Sequence, residues 1–515
     1  MARSTRPTQQ GSSRTILRWG WLAPWLALLG AVGPAWAEAI DLTFLHLNDV
    51  YEITPVQGGQ RGGLARVATL RQQLLRENPR TYTVLAGDLF SPSALGTATV
   101  NGERLAGRQI VAAMNSLGLD YATLGNHEFD LSAEQFLQRL AESRFRWFSG
   151  NVTDAAGRPF PNVASTVTIA VRGDRGGRVR VGLIGVMLDS NPAGYVRYRD
   201  PIATAREQAR ALAGQTDVIV AVTHLSIEQD RQLAAAVPEI DLILGGHEHE
   251  NMQQWRTVAR PQRSGCARPM TPIFKADANA TTVYVHRLRY DTTSHCLTIA
   301  SELKPITPAL PDDPKTAATV RQWQELGFAG FRAQGFAPER VVATISTAWD
   351  GLEASVRNGS TELTRAIGRA MLAEATGAEL ALYNSGGIRI DDVLPPGPVT
   401  EYDIIRVLPF GGQVLTAGVR GDLLQKVLEQ GVANRGSGGY LQTAGVDRPT
   451  PDGPWRIGGQ PIDPDRTYRV AVNDFLISGR EQNLGFFKLG EAGITPIAEG
   501  RDIRTVLIRS LQPSP

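Results

Sequence analysis

From Asp41 to about Ile306 the chain repeats one arrangement, a short apolar run followed by a polar turn and an amphipathic stretch. Residues 42–47, 81–85, 122–124, 180–186, 218–222 and 242–244 read as strands. Between the first of them, residues 64–75 predict a helix with Leu64, Val67, Leu70 and Leu74 on one face, and residues 105–117 another with Ile110, Met114 and Leu117 aligned. Strands that alternate with helices imply a layered α/β domain with largely parallel central strands. The 515 residues exceed what one hydrophobic core organises, so more than one domain is expected. Four prolines between Pro305 and Pro314 mark a boundary, and residues 316–331 then read as a helix that could bridge two domains. Beyond about Ala337 a second composition begins, with a helix predicted over 362–376, a strand over 380–383 and several Gly-rich turns.

Five of the apolar runs end in groups able to bind a metal. They are Phe44-Leu45-His46-Leu47-Asn48-Asp49, the run ending Gly87-Asp88, and the run ending Gly125-Asn126-His127-Glu128. The others end at His224 and at Gly245-Gly246-His247-Glu248-His249. Ligands in α/β sheets bind beyond the carboxyl ends of strands, so these residues should meet along one edge. Mixed imidazole and carboxylate donors suit zinc, manganese or iron better than calcium. A phosphate ester repels hydroxide and gathers charge on its leaving oxygen; two cations roughly 3.5–4 Å apart relieve both difficulties. Asp88 is the natural bridging carboxylate. His127, beside Asn126, fits an acid–base or transition-state role, with Asp130 placed to orient its ring.

Asp near the start, Gly-Asp, Gly-Asn-His-Glu, a strand-end His and Gly-His-x-His resemble, in that order, the calcineurin-like metallophosphoesterase signature. Within that superfamily the chain looks like the 5′-nucleotidase branch, which includes periplasmic UDP-sugar hydrolases and ecto-5′-nucleotidases. The branch marks are Leu45-His46-x-Asn48-Asp49, Gly62-Gly63-Leu64-Ala65-Arg66 and Gly125-Asn126-His127-Glu128-Phe129-Asp130. The resemblance implies a four-layer α/β/β/α sandwich over 38–308, a linker helix over 309–335, and a smaller α/β substrate-binding domain over 336–515. It also implies two divalent ions, one held by Asp49, Asp88 and His249, the other by Asp88, Asn126, His224 and His247. One departure stands out: the family's Asp-x-His is here Asp49-Val50-Tyr51. Tyr51 either packs beside the site or serves as a phenolate ligand favouring a harder ion, and Glu52 could substitute as a ligand.

Resemblance extends through the second domain. Asn384-Ser385-Gly386-Gly387-Ile388-Arg389 matches a substrate-reading segment, in which Arg389 offers a guanidinium fork to an anion. Arg365 and Arg369, four apart on a predicted helix, share a face that either reaches the same anion or is simply solvated. Phe410 and Phe475 match two family aromatics that would sandwich a nucleobase. The acid that follows in the family is out of register here, where Ser478 to Phe487 offer only Glu481 as a group for a sugar hydroxyl.

A net charge of +2 provides no basic field, so polymeric nucleic acid is not the expected partner. Arg14 and Arg18, the apolar run 19–32 and Pro34-Ala35-Trp36-Ala37 read as an export signal over residues 1–37, cleaved after Ala37. That run is shorter than the roughly 20 residues of a membrane span, so a mature protein without a span, periplasmic or secreted, is expected. Cys266 and Cys296 could pair in such an oxidising compartment. The expected activity is phosphate release from nucleoside 5′-monophosphates, with UDP-sugars as further substrates. Alternatives are a 2′,3′-cyclic-nucleotide phosphodiesterase or other phosphomonoesterase on the same fold, and a non-enzymatic nucleotide- or metal-binding protein whose first site has decayed at Tyr51.

Overall fold

The computed structural model describes residues 38–191, 193–257 and 270–512. The expected export segment, residues 1–37, lies outside them, as does Cys266; Cys296 is disulfide-bonded.

Among the described residues, two large sheets build the N-terminal part. The first runs Val163–Ala164, Arg146–Phe148, Tyr121–Thr123, Thr81–Ala86, Ala39–Leu47, Thr282–Asp291, Leu297–Pro305. The second runs Thr166–Arg172, Arg178–Met187, Val218–His224, Leu242–Gly245, Met270–Lys275, Met252–Thr257. Their centres are parallel, as the alternating pattern predicts, but one side of the first sheet and both edges of the second are antiparallel. Ala39–Leu47 pairs antiparallel with Thr282–Asp291, and Thr166–Arg172 antiparallel with Arg178–Met187.

The strands read as unbroken apolar runs because both faces of each sheet are covered. Successive side chains point to opposite faces: Leu42 and Phe44 enter a core between the two sheets with Val84, Val220 and Leu244. Leu45, Leu47 and Leu85 face the other way, against Val67, Leu70, Ile110 and Met114 of the helices Leu64–Glu77 and Arg108–Leu117. On the far side of the second sheet, Ile219, Ala221 and Ile243 pack on Ala205, Ala209 and Leu233 of Pro201–Leu212 and Ile227–Ala236. The result is helix, sheet, sheet, helix. The second helix starts at Arg108, later than the apolar pattern implies, because Gly107 (φ 86°) turns the chain just before it.

The C-terminal part is a smaller mixed sheet ordered Leu441–Ala444, Leu380–Asn384, Thr467–Asn473, Gln413–Arg420, Ile494–Asp502. Ala381 and Tyr383 pack on Leu363, Ile367 and Met371 of the helix Glu362–Glu374, together with Val506 and Leu507 of Ile503–Leu511. Leu380 and Leu382 pack on Leu424, Val427 and Leu428 of Gly421–Ala433. The helix Pro314–Ala333, capped by Asp313, lies against the N-terminal helices through Val320, Phe328 and Phe331. It also touches the C-terminal part, with the Phe328 and Tyr402 rings 4.8 Å apart.

Candidate active site

The metal-type side chains meet at the carboxyl ends of the central strands. Asp49 follows Ala39–Leu47, Asp88 follows Thr81–Ala86, and Asn126 follows Tyr121–Thr123. His224 ends its strand, and His247 and His249 follow Leu242–Gly245. Asp49, Asp88, His247 and His249 all adopt left-handed backbone, with φ of 51°, 58°, 84° and 58°. Such conformations are strained for residues with a Cβ and persist where surrounding structure enforces them, typically at functional sites. The close approach of the turns explains the glycines. A Cβ on Gly125 would lie 2.2 Å from Asp88 Oδ1, and one on Gly246 would lie 2.3 Å from the Ala86 carbonyl.

Asp88 stands at the centre, 1% exposed. Its Oδ2 is 3.3 Å from His224 Nε2 on one side and accepts from the Tyr51 hydroxyl at 2.9 Å on the other. Its Oδ1 accepts the His127 backbone N–H at 2.9 Å. His224 Nε2 also lies 3.2 Å from Asn126 Oδ1, because its Nδ1 is anchored on the Ala86 carbonyl at 2.9 Å. His249 Nε2 lies 3.4 Å from Asp49 Oδ1, and one ligand atom from each of Asp49, Asp88 and His249 falls within 4.8 Å of the others. The Asp49 carboxylate accepts from Asn48 Nδ2 and the His247 N–H, both at 2.8 Å. The donor set, two carboxylates, an amide oxygen and three imidazoles, fits divalent cations. Residue by residue, the structure therefore brings together Asp49, Asp88, Asn126, His224 and His249, with His247 stacked edge-on at 5.3 Å from His224.

Tyr51 belongs to this cluster. Its hydroxyl is 2.9 Å from Asp88, 3.1 Å from His249 Nε2 and 3.4 Å from Asp49. Glu52, by contrast, turns away and pairs with Arg406 at 3.5 Å.

The electrostatics are those of crowded ligand groups. Burial opposes charge on His224, but Asp88 and Asp49 outweigh it and raise its pKa to about 9. Burial likewise opposes charge on His249, and Asp391 and Asp49 override it to reach about 10. His247, pressed by burial and then by charged His224, falls to about 3. Burial and then the Asp88 and Asp49 charges push the Tyr51 phenol well above its ordinary value. A cation between these groups would take over the charge that the imidazoles otherwise supply to the carboxylates.

Two buried groups fix the frame: Glu128, read in the sequence only as part of its motif, and Lys275, not read there at all. Glu128 accepts backbone N–H bonds from Asp88, Leu89, Phe90 and Gly125, tying two ligand turns together. Lys275, fully buried, donates to the Leu225 and Gly246 carbonyls at 2.5 and 2.8 Å and pairs with Asp230 at 3.1 Å. It holds the turns that carry His224 and His247.

His127 sits beside the cluster with Nδ1 2.8 Å from Asp130 Oδ2, and Asp130 is steadied by Ser91 and Asn191. Its Nε2 is 3.0 Å from Arg389 Nη2. A guanidinium only donates, so Nε2 accepts and Nδ1 carries the proton toward Asp130.

Arg389 reaches His127 from the C-terminal part, where the segments expected to read the substrate share one edge. Leu380–Asn384 runs parallel to Thr467–Asn473, and Gln413–Arg420 antiparallel to it, so Asn384, Phe410 and Phe475 all leave the sheet there. Asn473 Nδ2 donates to Asn384 Oδ1 at 3.1 Å. Phe410 and Phe475 are 55% and 37% exposed, unusual for phenylalanine and unlike the core role that most phenylalanines have. Glu481 hydrogen-bonds with Asn384, and its burial raises its pKa.

Arg365 and Arg369 require a correction. Both are exposed and pair with Glu362, at 2.9 and 3.1 Å, rather than joining the cluster. The helix buries Leu363, Ile367 and Met371, which leaves the arginine face in solvent. An arginine that joins Arg389 near the cluster is Arg357, just after the short helix Glu353–Val356. Burial, and then the like charge of Arg389, lower its pKa to about 10, and it pairs with Glu353. It lines a cleft of about 660 Å³ with His247, His249, Glu353 and Asp391.

Comparison with known proteins agrees with this geometry. Residues 42–251 match the calcineurin-like phosphoesterase family, and residues 341–488 the 5′-nucleotidase C-terminal domain. The trifunctional nucleotide phosphoesterase protein YfkN of Bacillus subtilis is 27% identical over 90% of this chain, which spans 33% of YfkN's length. The 5′-nucleotidase of Mus musculus is 24% identical over 88% of this chain and 86% of its own. The crystal structure of the 5′-nucleotidase precursor from Thermus thermophilus superimposes with a TM-score of 0.73 at 25% identity, covering 92% of this chain and 96% of that one. The chain belongs to the calcineurin-like phosphoesterases of the 5′-nucleotidase type, and is a phosphoester hydrolase.

Proposed function

We propose that the protein releases phosphate from nucleoside 5′-monophosphates with the aid of two divalent ions. The observation that carries this reading is Asp88, whose one carboxylate oxygen faces both the Tyr51–His249 side and the His224 side of the cluster. Asp49, Asp88 and His249 would hold the first ion, with Tyr51 adding an oxygen donor; Asp88, Asn126, His224 and His247 would hold the second. Bound ions of this kind supply charge neutralisation at the phosphoryl group and a nucleophilic water at neutral pH. Arg389, beside His127, and Arg357, in the cleft, give the phosphoryl group two guanidinium partners. His127, oriented by Asp130, steadies the transferring phosphoryl or, once the substrate draws Arg389 away and Nε2 takes up a proton, passes that proton to the leaving oxygen. Phe410 and Phe475 stack the base, and Asn384 and Glu481 read the rest of the nucleoside.

The reading assigns residues 38–308 to catalysis, 309–335 to the connection and 336–515 to substrate recognition. It also makes the protein an exported one, in keeping with the absence, among the described residues, of any helix long and apolar enough to cross a membrane. The departure around Ser478–Phe487 leaves UDP-sugars, 2′,3′-cyclic nucleotides and simple phosphomonoesters as competitors. A panel of AMP, a UDP-sugar, 2′,3′-cyclic AMP and p-nitrophenyl phosphate, compared by kcat/KM, tests the choice. AMP should lead; a clear preference for the cyclic ester would replace the proposal.

A further inference from the structure

The C-terminal part reaches the ligand cluster at one point that the mechanism above does not use. Asp391, two residues beyond Arg389, places Oδ2 2.6 Å from His249 Nδ1. Its other oxygen accepts the Glu353 N–H at 2.8 Å, so the carboxylate is held at both ends. Asp391 itself adopts a left-handed backbone, φ 39°, which brings the side chain round toward the N-terminal part. Both side chains are only 12% exposed. A second C-terminal carboxylate, Glu353, lies 3.7 Å from the same nitrogen and is itself tied to Arg357.

An imidazole that ligates a metal works best when its far N–H is bound by an acceptor, which fixes the ring and aims the other nitrogen at the ion. Two of the three ligand histidines, His224 and His249, differ in where that acceptor comes from. His224 is anchored by the Ala86 carbonyl of its own half. His249 is anchored by Asp391, across the interface, with Nε2 directed at Tyr51 and Asp49.

Resting on the two-ion reading, we propose that Asp391 is a positioning residue for the first metal site, supplied in trans to the catalytic half, so that full retention of that ion requires the substrate-binding half to be in place. The second site, whose His224 is anchored within the catalytic half, carries no such requirement. Whatever the anchor adds to ion affinity, the ion returns to the closed arrangement of the two halves, because linkage is reciprocal.

The test uses the full-length protein loaded with manganese or zinc and dialysed against graded chelator, with metal content measured per chain. Asp391→Ala and Asp391→Asn are expected to lose one of two ions at a chelator strength about 10–100-fold lower than wild type, the usual loss on removing such an anchor. The second ion should stay at its wild-type strength, and Asp391→Glu should restore part of the difference. A residue of merely structural importance would lower both ions together, and that result overturns the proposal. Equal retention in wild type, Asp391→Ala and Asp391→Asn overturns it as well, while leaving the two-ion reading intact. A wild-type chain that binds neither ion overturns the two-ion reading and this inference with it.

Discussion

Replacing Phe410 by alanine separates base recognition from phosphate chemistry. Truncating a core phenylalanine costs about 3–5 kcal/mol. Phe410, however, already shows 55% of its surface to water, so Phe410→Ala should cost the fold no more than about 1 kcal/mol. Stacking a base on an aromatic ring contributes about 1–3 kcal/mol, or roughly 5–150-fold in affinity. Phe475 is the less clean target, because the Arg480 guanidinium rests 5.2 Å from its ring centroid and would be released at the same time. The assay compares kcat/KM for AMP with that for ribose 5-phosphate, which offers the same ester without a base. Phe410→Ala should lower the AMP value at least fivefold, chiefly through KM, and leave the ribose 5-phosphate value and the melting temperature nearly unchanged. A parallel fall on both substrates, or none on AMP, would refute the stacking argument.

Other variants probe the remaining parts. His127→Ala keeps the backbone N–H that binds Asp88, so kcat should fall by about 10²–10⁴ while metal content stays intact; equal loss of metal would mark His127 as a ligand. Arg406→Met leaves the buried carboxylates of Glu52 and Asp392 without their shared cation, which should destabilise by about 3–5 kcal/mol in urea unfolding, against about 1 kcal/mol for Glu52→Gln. Similar losses would mean that the cluster contributes little. Burial lowers the pKa of His46 to about 3, whereas an unfolded histidine binds its proton near 6.5. Between those values the unfolded chain binds more protons, so stability is lost as pH falls, by about 2 kcal/mol at pH 5 from His46 alone. His286, at 3.4 Å and shifted the same way by burial and by His46, adds to the loss. In His46→Gln the slope of stability between pH 7 and 5 should flatten; an unchanged slope would count against the linkage.

The layered N-terminal architecture was legible because its strands are covered on both faces and so read as plain apolar runs ending at Asp49, Asp88 and His224. The antiparallel edge strands were harder, since Thr282–Asp291 and Leu297–Pro305 differ little in pattern from parallel ones and their pairing is set by partners far along the chain. Helical spacing showed that Arg365 and Arg369 share a face but not which face is buried; Leu363, Ile367 and Met371 decide that. Arg357 gave no periodic signal, because it follows a single short helical turn. Tyr51 was visible as a departure, yet its place among three ligand groups depends on the left-handed turn at Asp49. Asp391 lay beside a recognised arginine, but its partner His249 is 142 residues away, and no local pattern joins them.

The most direct test of the account is phosphate release from AMP by the purified protein, before and after chelation and with manganese, zinc or iron restored. Two shared-carboxylate sites predict activity that chelation abolishes and a divalent ion restores, with close to two ions per chain at full activity. Release that survives complete removal of metal, or no release from AMP with any ion, would contradict it.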